Sequence, residues 1–420
     1  MTAGLETGDI LVTGATGFTG TAVLRALVAG GAAPRVRVLA RGPVPEWMRA
    51  AGVAVHHGDL TDPAALTGVC AGVTTLVHLA SRIAGTDEEC AAVNERGTAH
   101  LLAEARRAGT RRILHLSTCA IYRDGVHRAA PEPLLTTGRR TFGGPLTGAR
   151  ARPHNGTVCA NRATGSSGTG PSGLAGAGSA GAPIGQVGRG GGAVAGEPGG
   201  RAGRARPGGD PQVGAGPVRS GRGGRRVVLE TGPASGASRS RLAGERLVRS
   251  AGGIVLRPHL VYGAGDRHVI PALVHWLRAV PAWADGGTAR SSVVAVAELA
   301  SVIAAFALDQ GTGRPGEVFH VADPRPVRMR TLAGVVCGLL DLPLPARDLP
   351  LAEHRMHTRA ALPWLTDHQW SLLTRDHWYA SDRVWAVTGV SPGPGLAVRL
   401  GQAAGWYREI LGTKDRIRQP

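Results

Sequence analysis

Thr13-Gly14-Ala15-Thr16-Gly17-Phe18-Thr19-Gly20 is the stretch of this 420-residue chain that decides its fold. It follows the apolar run Ile10-Leu11-Val12 and opens an amphipathic run that continues to Ala29. Glycines at this spacing let a turn of backbone approach a pyrophosphate, and the helix that follows offers unpaired N–H groups and the positive end of its dipole to the anion. The stretch therefore predicts a strand, a turn and a helix that bind a dinucleotide, through Gly14, Thr16, Gly17, Phe18 and Gly20.

Short β-branched runs alternate with amphipathic stretches along the first part of the chain. The strand candidates are residues 10–13, 36–40, 53–56, 75–79 and 112–117, and the clearest helix candidate is 88–108. This rhythm is typical of parallel strands joined by crossover helices. The predicted fold class is α/β, a doubly wound parallel sheet with a smaller C-terminal lobe.

Residues 138–237 differ in composition from the rest of the chain. They hold 30 of the 64 glycines, one aromatic residue, Phe142, and no hydrophobic period. Such a segment buries too little apolar surface to offset its conformational entropy, so we expect it to be disordered. Out-of-frame translation of GC-rich codons and a genuine insertion both remain open as its origin. The dinucleotide-binding part then comprises residues 1–137 and 238–270, and residues 271–420 form mainly the C-terminal lobe.

The formal charge of +18 would suit a polyanionic partner. However, Lys414 is the one lysine of the chain, and residues 138–237 alone carry a surplus of +10. RNA binding through Arg-Gly runs such as Arg189-Gly190-Gly191 is an alternative function. These runs have no interleaved aromatic residues for base stacking, so a nucleic-acid partner is not favoured. No apolar run approaches the roughly 20 residues of a membrane span, which predicts a cytoplasmic protein without membrane contact. The five cysteines are scattered and form no C-x-x-C pair, so neither disulfides nor a metal site is expected.

The end of the second strand candidate bears on the choice between NAD and NADP. A protein that prefers NAD usually places an acidic residue there for the ribose hydroxyls, whereas this chain has Ala40 followed by Arg41. A guanidinium suits the 2′-phosphate of NADP. We therefore expect NADP or NAD as the cofactor, with NADP favoured. The alternative is that Arg41 is a solvated surface charge in an arginine-rich chain.

Seven motifs follow one another in a characteristic order. They are TGATGFTG at 13–20, Gly58-Asp59-Leu60, LVHLAS at 76–81, Val93-Asn94 with Gly97-Thr98, LSTCAIY at 116–122, SRLAGERLV at 240–248 and LRPHLVYGAGD at 256–266. The series resembles the extended short-chain dehydrogenases, a family with a Rossmann fold. It includes sugar-nucleotide epimerases and dehydratases and the 3β-hydroxysteroid dehydrogenases. The aromatic ending, with His377-Trp378-Tyr379 and Trp406-Tyr407, is more similar to the steroid and sterol dehydrogenases.

The resemblance assigns further residues to the cofactor. It implies that Asp59 and Leu60 flank the adenine. It also implies that Leu79, Ala80 and Ser81 line the cofactor along the fourth strand, where ordinary packing at a sheet end is the alternative. His78 resembles a structural histidine of the family. Cys119 is expected to be a packed small residue, because no histidine partner is recognisable beside it.

The catalytic residues depart from the family's pattern. Hydride transfer to or from a carbonyl needs a proton donor or acceptor at the same oxygen. The family uses a Tyr and a Lys in a YxxxK helix, with a Ser or Thr after the fifth strand. The match places the hydroxyl at Thr118, the lysine at Arg241 and the tyrosine at Ala237. Arg241 can supply positive charge, but an alanine methyl transfers no proton. The alternative for Thr118 is a strand-terminal threonine bonded to backbone.

Two classes of function follow from this pattern. The first is an NAD(P)-dependent oxidoreductase or epimerase/dehydratase that acts on a secondary alcohol or ketone of a small-molecule substrate, such as a sugar nucleotide, a sterol-like molecule or a secondary metabolite. The second is a non-catalytic NAD(P)-binding regulatory protein, because Ala237 and Arg241 replace the family's pair. The resemblance also implies a homodimer formed through residues 88–108 and 241–250.

Overall fold

The computed structural model describes residues 9–122, 125–133, 233 and 235–412. The segment 138–237, predicted to be disordered, lies outside the described residues except for its last positions. The strands are β1 (Asp9–Thr13), β2 (Val36–Ala40), β3 (Ala54–His57), β4 (Val73–His78), β5 (Arg112–Leu116), β6 (His127–Ala130), β7 (Ile254–Pro258), β8 (Leu260–Tyr262), β9 (Ala282–Ala284), β10 (Arg290–Ser291), β11 (Val293–Ala295), β12 (Val318–Val321), β13 (Val327–Arg328), β14 (Arg347–Leu349) and β15 (His377–Tyr379). The α-helices are α1 (Phe18–Ala29), α2 (Glu46–Ala50), α3 (Asp87–Ala91), α4 (Thr98–Arg107), α5 (Gly236–Ser250), α6 (Val269–Ala279), α7 (Val296–Leu308), α8 (Met329–Leu340), α9 (Leu351–Ala361), α10 (Asp367–Thr374), α11 (Asp382–Thr388) and α12 (Leu396–Gly412).

Seven strands form one parallel sheet in the order β12-β7-β5-β4-β1-β2-β3. The predicted α/β fold with a doubly wound parallel sheet is confirmed. β1 is apolar and almost wholly buried, as expected for a strand covered by helices on both faces. Because strand order reverses at β1, the carboxyl ends of β1 and β4 border the crevice in which such sheets bind their ligands.

Helices cover both faces of this sheet. On one face, α1 and α7 contribute Leu24, Leu27 and Phe306 to a continuous apolar core. On the other face, α4 and α5 contribute Leu101 and Val248. Helix α5 starts earlier than the predicted residue 241, because the side chain of Ser235 accepts a hydrogen bond from the backbone N–H of Ser238 and caps the helix.

The helix predicted over residues 88–108 is divided in the structure. Helix α3 ends at Ala91, a π-helical turn spans Ala92–Gly97, and α4 continues from Thr98. A capping box between Thr86 and Glu89 starts α3. Single π turns inside helices often occur at functional sites, and this one displaces the side chain of Asn94 from the ordinary helical register.

The C-terminal lobe has its own apolar core, to which α6, α8, α10 and α12 contribute. The carboxylate of Asp266 accepts the backbone N–H groups at the start of α6, and the hydroxyl of Tyr407 on α12 donates to the same carboxylate. The last described helix is therefore tied to the loop that follows β8. Among the described helices, none has both the length and the apolar character that crossing a bilayer would require.

Candidate functional site

A cleft of about 260 Å³ opens at the carboxyl ends of β1, β2 and β4. Among the residues predicted to bind the cofactor, those that line it are Gly14, Thr16, Gly17, Arg41, Asp59, Leu60, Leu79, Ala80 and Ser81. Phe18 and Gly20 do not line it. The ring of Phe18 lies against Gly265, and Gly20 lies behind the turn. The sequence motifs that follow β1, β2, β3 and β4 therefore meet at one surface.

The turn after β1 is a backbone cradle. Gly14 has a φ of 71°, and a Cβ at this position would lie 2.6 Å from the backbone nitrogen of Ala80. A Cβ on Gly20 would lie 2.0 Å from the carbonyl oxygen of Gly14. These two glycines let the turn close against β4 and α1. Gly17 immediately precedes α1, so the first N–H groups of the helix face the cleft side of the turn. The cradle has the form that a diphosphate group requires.

The glycine at position 17 supports a separate prediction. A Cβ there would meet the Gly14 carbonyl oxygen at 3.3 Å, a close contact that a shift of a few tenths of an ångström would relieve, so we expect Gly17→Ala to fold. The added methyl occupies the space that a phosphate needs, and we expect dinucleotide affinity to fall at least tenfold by calorimetry. Gly401→Ala is the matched control, because a Cβ at Gly401 on α12 meets nothing within 4 Å. Equal affinities for the two variants would contradict the phosphate turn.

Arg41 and Asp59 face each other at the adenosine end of the cleft. Their side chains form an ion pair of 3.9 Å and are 72% and 39% exposed. Asp59 Oδ1 accepts hydrogen bonds from the backbone N–H and the hydroxyl of Thr61, each at 2.8 Å. The hydrogen bond from the Thr61 backbone N–H is the main cause that holds the pKa of the Asp59 carboxyl below its usual value. The carboxylate is thus fixed, whereas the guanidinium remains accessible to a ligand.

His78 lies buried at the end of β4. Its ring nitrogens lie 2.7 Å from the Thr13 hydroxyl oxygen and 3.0 Å from that of Thr98. Desolvation lowers the pKa of His78 well below its ordinary value, so the ring is neutral. Both nitrogens are occupied within the fold, as the structural role predicted for His78 requires.

Asn94 belongs to the motif Val93-Asn94, and its side chain positions the Arg82 backbone and α5, a role that the sequence did not indicate. Its side-chain oxygen accepts the backbone N–H of Arg82 at 2.7 Å. Its amide nitrogen donates to the Arg82 carbonyl at 2.8 Å and to the Ser240 hydroxyl at 3.0 Å. Asn94 thus joins the end of β4 to α5. The π turn that directs it inward could not be read from periodicity alone.

Thr118 and Arg241 lie next to each other at the end of β5. Arg241 Nη2 donates to the carbonyl oxygen of Ser117 at 3.0 Å. Thr118 is buried, and its hydroxyl oxygen accepts the backbone N–H of Ala120 at 3.1 Å. Desolvation lowers the pKa of Arg241 to about 10, so its guanidinium stays charged at neutral pH. Ala237 precedes Arg241 by one helical turn and lies on the same face of α5. None of these three residues lines the 260 Å³ cleft.

Tyr122, the tyrosine closest to Thr118 in the sequence, does not replace the general acid that is absent at position 237. Tyr122 is 2% exposed, and its hydroxyl lies 2.5 Å from His320 Nε2 and 2.6 Å from Arg257 Nη1. Burial raises the pKa of Tyr122 strongly. Arg257 in turn pairs with Glu245, and both side chains are fully buried. The Tyr122 hydroxyl therefore belongs to a structural network.

Cys119 offers no alternative nucleophile. Cys119 Sγ donates to the Arg257 carbonyl oxygen at 3.3 Å, and burial raises the pKa of the thiol. A buried neutral thiol is a poor nucleophile. Within residues 9–122, 125–133 and 235–412, no three His, Cys, Asp or Glu side chains are placed to hold a metal ion.

Comparison with known proteins identifies the N-terminal part. Residues 10–140 match the model of the NAD dependent epimerase/dehydratase family. The ceramide reductase of Caulobacter vibrioides is 41% identical over 114 residues, which are 27% of this chain and 36% of the relative. Sterol demethylase protein B of Methylococcus capsulatus is 39% identical over 113 residues, 26% of this chain and 34% of the relative. The chain thus spans about a third of the length of these relatives.

Solved structures share the fold at low sequence identity. The dTDP-glucose 4,6-dehydratase DesIV of Streptomyces venezuelae, with NAD and TYD bound, has a TM-score of 0.58 at 18% identity and covers 98% of this chain and 100% of its own. The UDP-glucose 4-epimerase of Thermotoga maritima has a TM-score of 0.58 at 13% identity and covers 96% of this chain and 99% of its own. Residues 10–140 thus match the NAD dependent epimerase/dehydratase family, and the solved structures show that the chain shares the fold of such enzymes.

Proposed function

We propose that the chain is an NAD(P)-dependent oxidoreductase or epimerase/dehydratase that acts on a secondary alcohol or ketone. The observation that carries the proposal is the cradle of Gly14, Gly17 and Gly20 at the point where strand order reverses, with Arg41 and Asp59 at the far end of the same cleft. Three relatives are named after the compounds ceramide, sterol and 2-alkyl-3-oxoalkanoate. All three kinds of compound are lipophilic. They favour a lipophilic alcohol or ketone over a sugar nucleotide as the substrate.

The residues at the end of β5 define what this chain contributes to the reaction. A bound nicotinamide dinucleotide supplies the hydride acceptor or donor. The Thr118 hydroxyl can donate a hydrogen bond to the substrate oxygen, because its own oxygen already accepts from Ala120. The charged Arg241 guanidinium stabilises negative charge near the same point. Ala237 provides no proton, so we expect the unmodified chain to turn over slowly.

Calorimetry with NADP(H) and NAD(H), followed by a panel of lipophilic ketones and alcohols, tests the proposal. Dinucleotide binding with measurable turnover supports an enzyme. Binding without turnover supports the second function, a non-catalytic dinucleotide-binding protein, which the alanine at position 237 favours. Absence of binding would refute both. The same proposal assigns residues 1–137 and 238–270 to the dinucleotide part, residues 271–420 mainly to a substrate lobe, and a homodimer interface to α4 and α5.

Arg41 is expected to decide the preference for NADP. A hydrogen-bonded ion pair between its exposed guanidinium and a 2′-phosphate is worth about one order of magnitude in affinity. Arg41→Ala should therefore weaken NADP binding about tenfold while it leaves NAD binding nearly unchanged. Arg49→Ala on α2 is the control, since Arg49 is an exposed arginine outside the cleft. An equal loss of affinity for NADP and NAD in Arg41→Ala would show that Arg41 does not distinguish a 2′-phosphate from a 2′-hydroxyl.

A further inference from the structure

We propose that Arg82 binds the diphosphate of the dinucleotide and that Glu89 holds the Arg82 guanidinium aside until the cofactor arrives. The sequence motifs did not single out Arg82 or Glu89. The inference rests on the proposed dinucleotide site and adds to it a cationic residue that exchanges partners on binding.

Arg82 lies on the wall of the cleft, close to the phosphate turn. It follows Ala80 by two residues, and the Ala80 backbone nitrogen is the atom that a Cβ on Gly14 would approach to 2.6 Å. Two residues of extended chain span roughly 7 Å, which is comparable with the reach of an arginine side chain. Asn94 holds both the N–H and the carbonyl of Arg82, so the start of this side chain is fixed beside the turn.

The guanidinium of Arg82 is held by its own loop. Its Nη2 lies 3.0 Å from Glu89 Oε1, and its Nε donates to the carbonyl oxygen of Ala84 at 3.0 Å. The two side chains of the ion pair are 38% and 50% exposed. An ion pair this exposed is weak, so a phosphate can displace the Glu89 carboxylate from Arg82.

The loop that leads into α3 is built around this pair. Gly85 has a φ of 112°, and a Cβ on it would come within 2.4 Å of Glu89 Oε2 and 2.9 Å of Arg82 Nη2. Glu89 also accepts the backbone N–H of Thr86 at 2.8 Å as part of the capping box. The carboxylate is therefore anchored to the helix whether or not Arg82 contacts it, and Arg82 is the partner that can move.

The charges in the cleft indicate which ligand group the Arg82 guanidinium would bind once it leaves Glu89. The turn from Thr13 to Gly20 offers backbone N–H groups but no cation to a diphosphate, which carries two negative charges. Among the described residues that line the cleft, the cations are Arg41 and Arg82. Arg41 is paired with Asp59 at the adenosine end. Arg82 is the cation adjacent to the turn.

Two substitutions on the full chain test the exchange by calorimetry with NAD, ADP-ribose and adenosine 2′-monophosphate. Arg82→Ala should weaken NAD and ADP-ribose binding about tenfold and leave adenosine 2′-monophosphate, which has no diphosphate, unchanged. Glu89→Gln keeps an acceptor for the capping box but removes the charge that holds Arg82. It should tighten NAD and ADP-ribose binding by about two- to fivefold, because the guanidinium no longer leaves a charged partner.

Arg96→Ala is the matched control, because Arg96 forms an exposed ion pair with Glu88 outside the cleft. It should leave all three affinities unchanged. Wild-type affinity for ADP-ribose in Arg82→Ala, or weaker binding in Glu89→Gln, would overturn the inference while the dinucleotide site itself stands. Failure of the wild-type chain to bind NAD, NADP or ADP-ribose would overturn the proposed function together with it.

Discussion

The double substitution Ala237→Tyr with Arg241→Lys is expected to raise turnover of a ketone or secondary alcohol by about 10²- to 10⁴-fold. That range is the typical contribution of one positioned general acid or base. The structure supports the site of the change, because Ala237 and Arg241 share one face of α5 and Arg241 already contacts the end of β5 beside Thr118. The hydrogen bond from Asn94 to Ser240 fixes the same helix to the cleft.

The matched control for this prediction is Ala237→Phe with Arg241→Lys. It has the ring of tyrosine without the hydroxyl and should stay at the rate of the unmodified chain. Steady-state rates under saturating cofactor provide the comparison. Affinity for the dinucleotide should be the same in all three proteins, because the residues that line the cleft are unchanged. If the tyrosine variant is no faster than the phenylalanine variant, Ala237 is not at the position of the acid.

The second large effect is a loss of stability in mild acid. His78, His115 and His320 are buried and His259 is half-buried. Desolvation is the main cause that lowers the pKa of each, to about 3 for His115 and His320. The unfolded chain takes up protons on these rings near pH 6.5, but the folded chain does not. Well below pH 6.5, the free energy of unfolding should therefore decrease by about 1.4 kcal/mol per pH unit for each histidine, and by roughly four times as much for the four together.

Denaturant unfolding at pH 7.5, 6.5 and 5.5 measures this slope. Two described carboxylates do not produce this loss. Asp367, with its pKa lowered to about 2 by hydrogen bonds from Arg355 and Arg359, contributes only at lower pH. Burial raises the pKa of Glu132, so this group stabilises the fold as the pH falls, which is the opposite direction. His320→Asn should reduce the change in the free energy of unfolding between pH 6.5 and 5.5 by about 1 kcal/mol. A free energy of unfolding that is constant from pH 7.5 to 5.5 would contradict the neutral, buried state of these rings.

Local patterns in the sequence were sufficient for the sheet and the turn. The strand β1, the glycines at 14, 17 and 20 and the helix α1 are contiguous, and their spacing alone carries the geometry. Gly20 and Phe18 show the limit of this reasoning. Both belong to the motif, but Gly20 is required by its approach to Gly14, and Phe18 packs against Gly265, which is remote in sequence. The motif therefore predicted the backbone conformation of residues 13–20 more reliably than it predicted which of these residues line the cleft.

Features that depend on tertiary contacts were not accessible from the sequence. The π turn at Asn94 adds a residue to one turn of a helix, and its bonds to Arg82 and Ser240 connect positions far apart in the chain. The pairing of Arg82 with Glu89 depends on the shape of the loop at Gly85. Motif order did indicate that Arg241 would lie at the end of β5, where it donates to the Ser117 carbonyl oxygen; the catalytic roles of Thr118 and Arg241 stay predictions.

The pairing of β5 with β7 has a consequence for synthesis of the protein on the ribosome. Leu114 lies opposite Ile254, so one edge of β5 has no partner until more than a hundred further residues have been made. At translation rates of about 5–20 residues per second, that edge stays open for roughly ten seconds or more. A buried apolar strand with an open edge readily adds a strand from another chain. Nascent chains are therefore exposed to aggregation during this interval, and expression at lower temperature or with added chaperone capacity should raise the yield of folded protein.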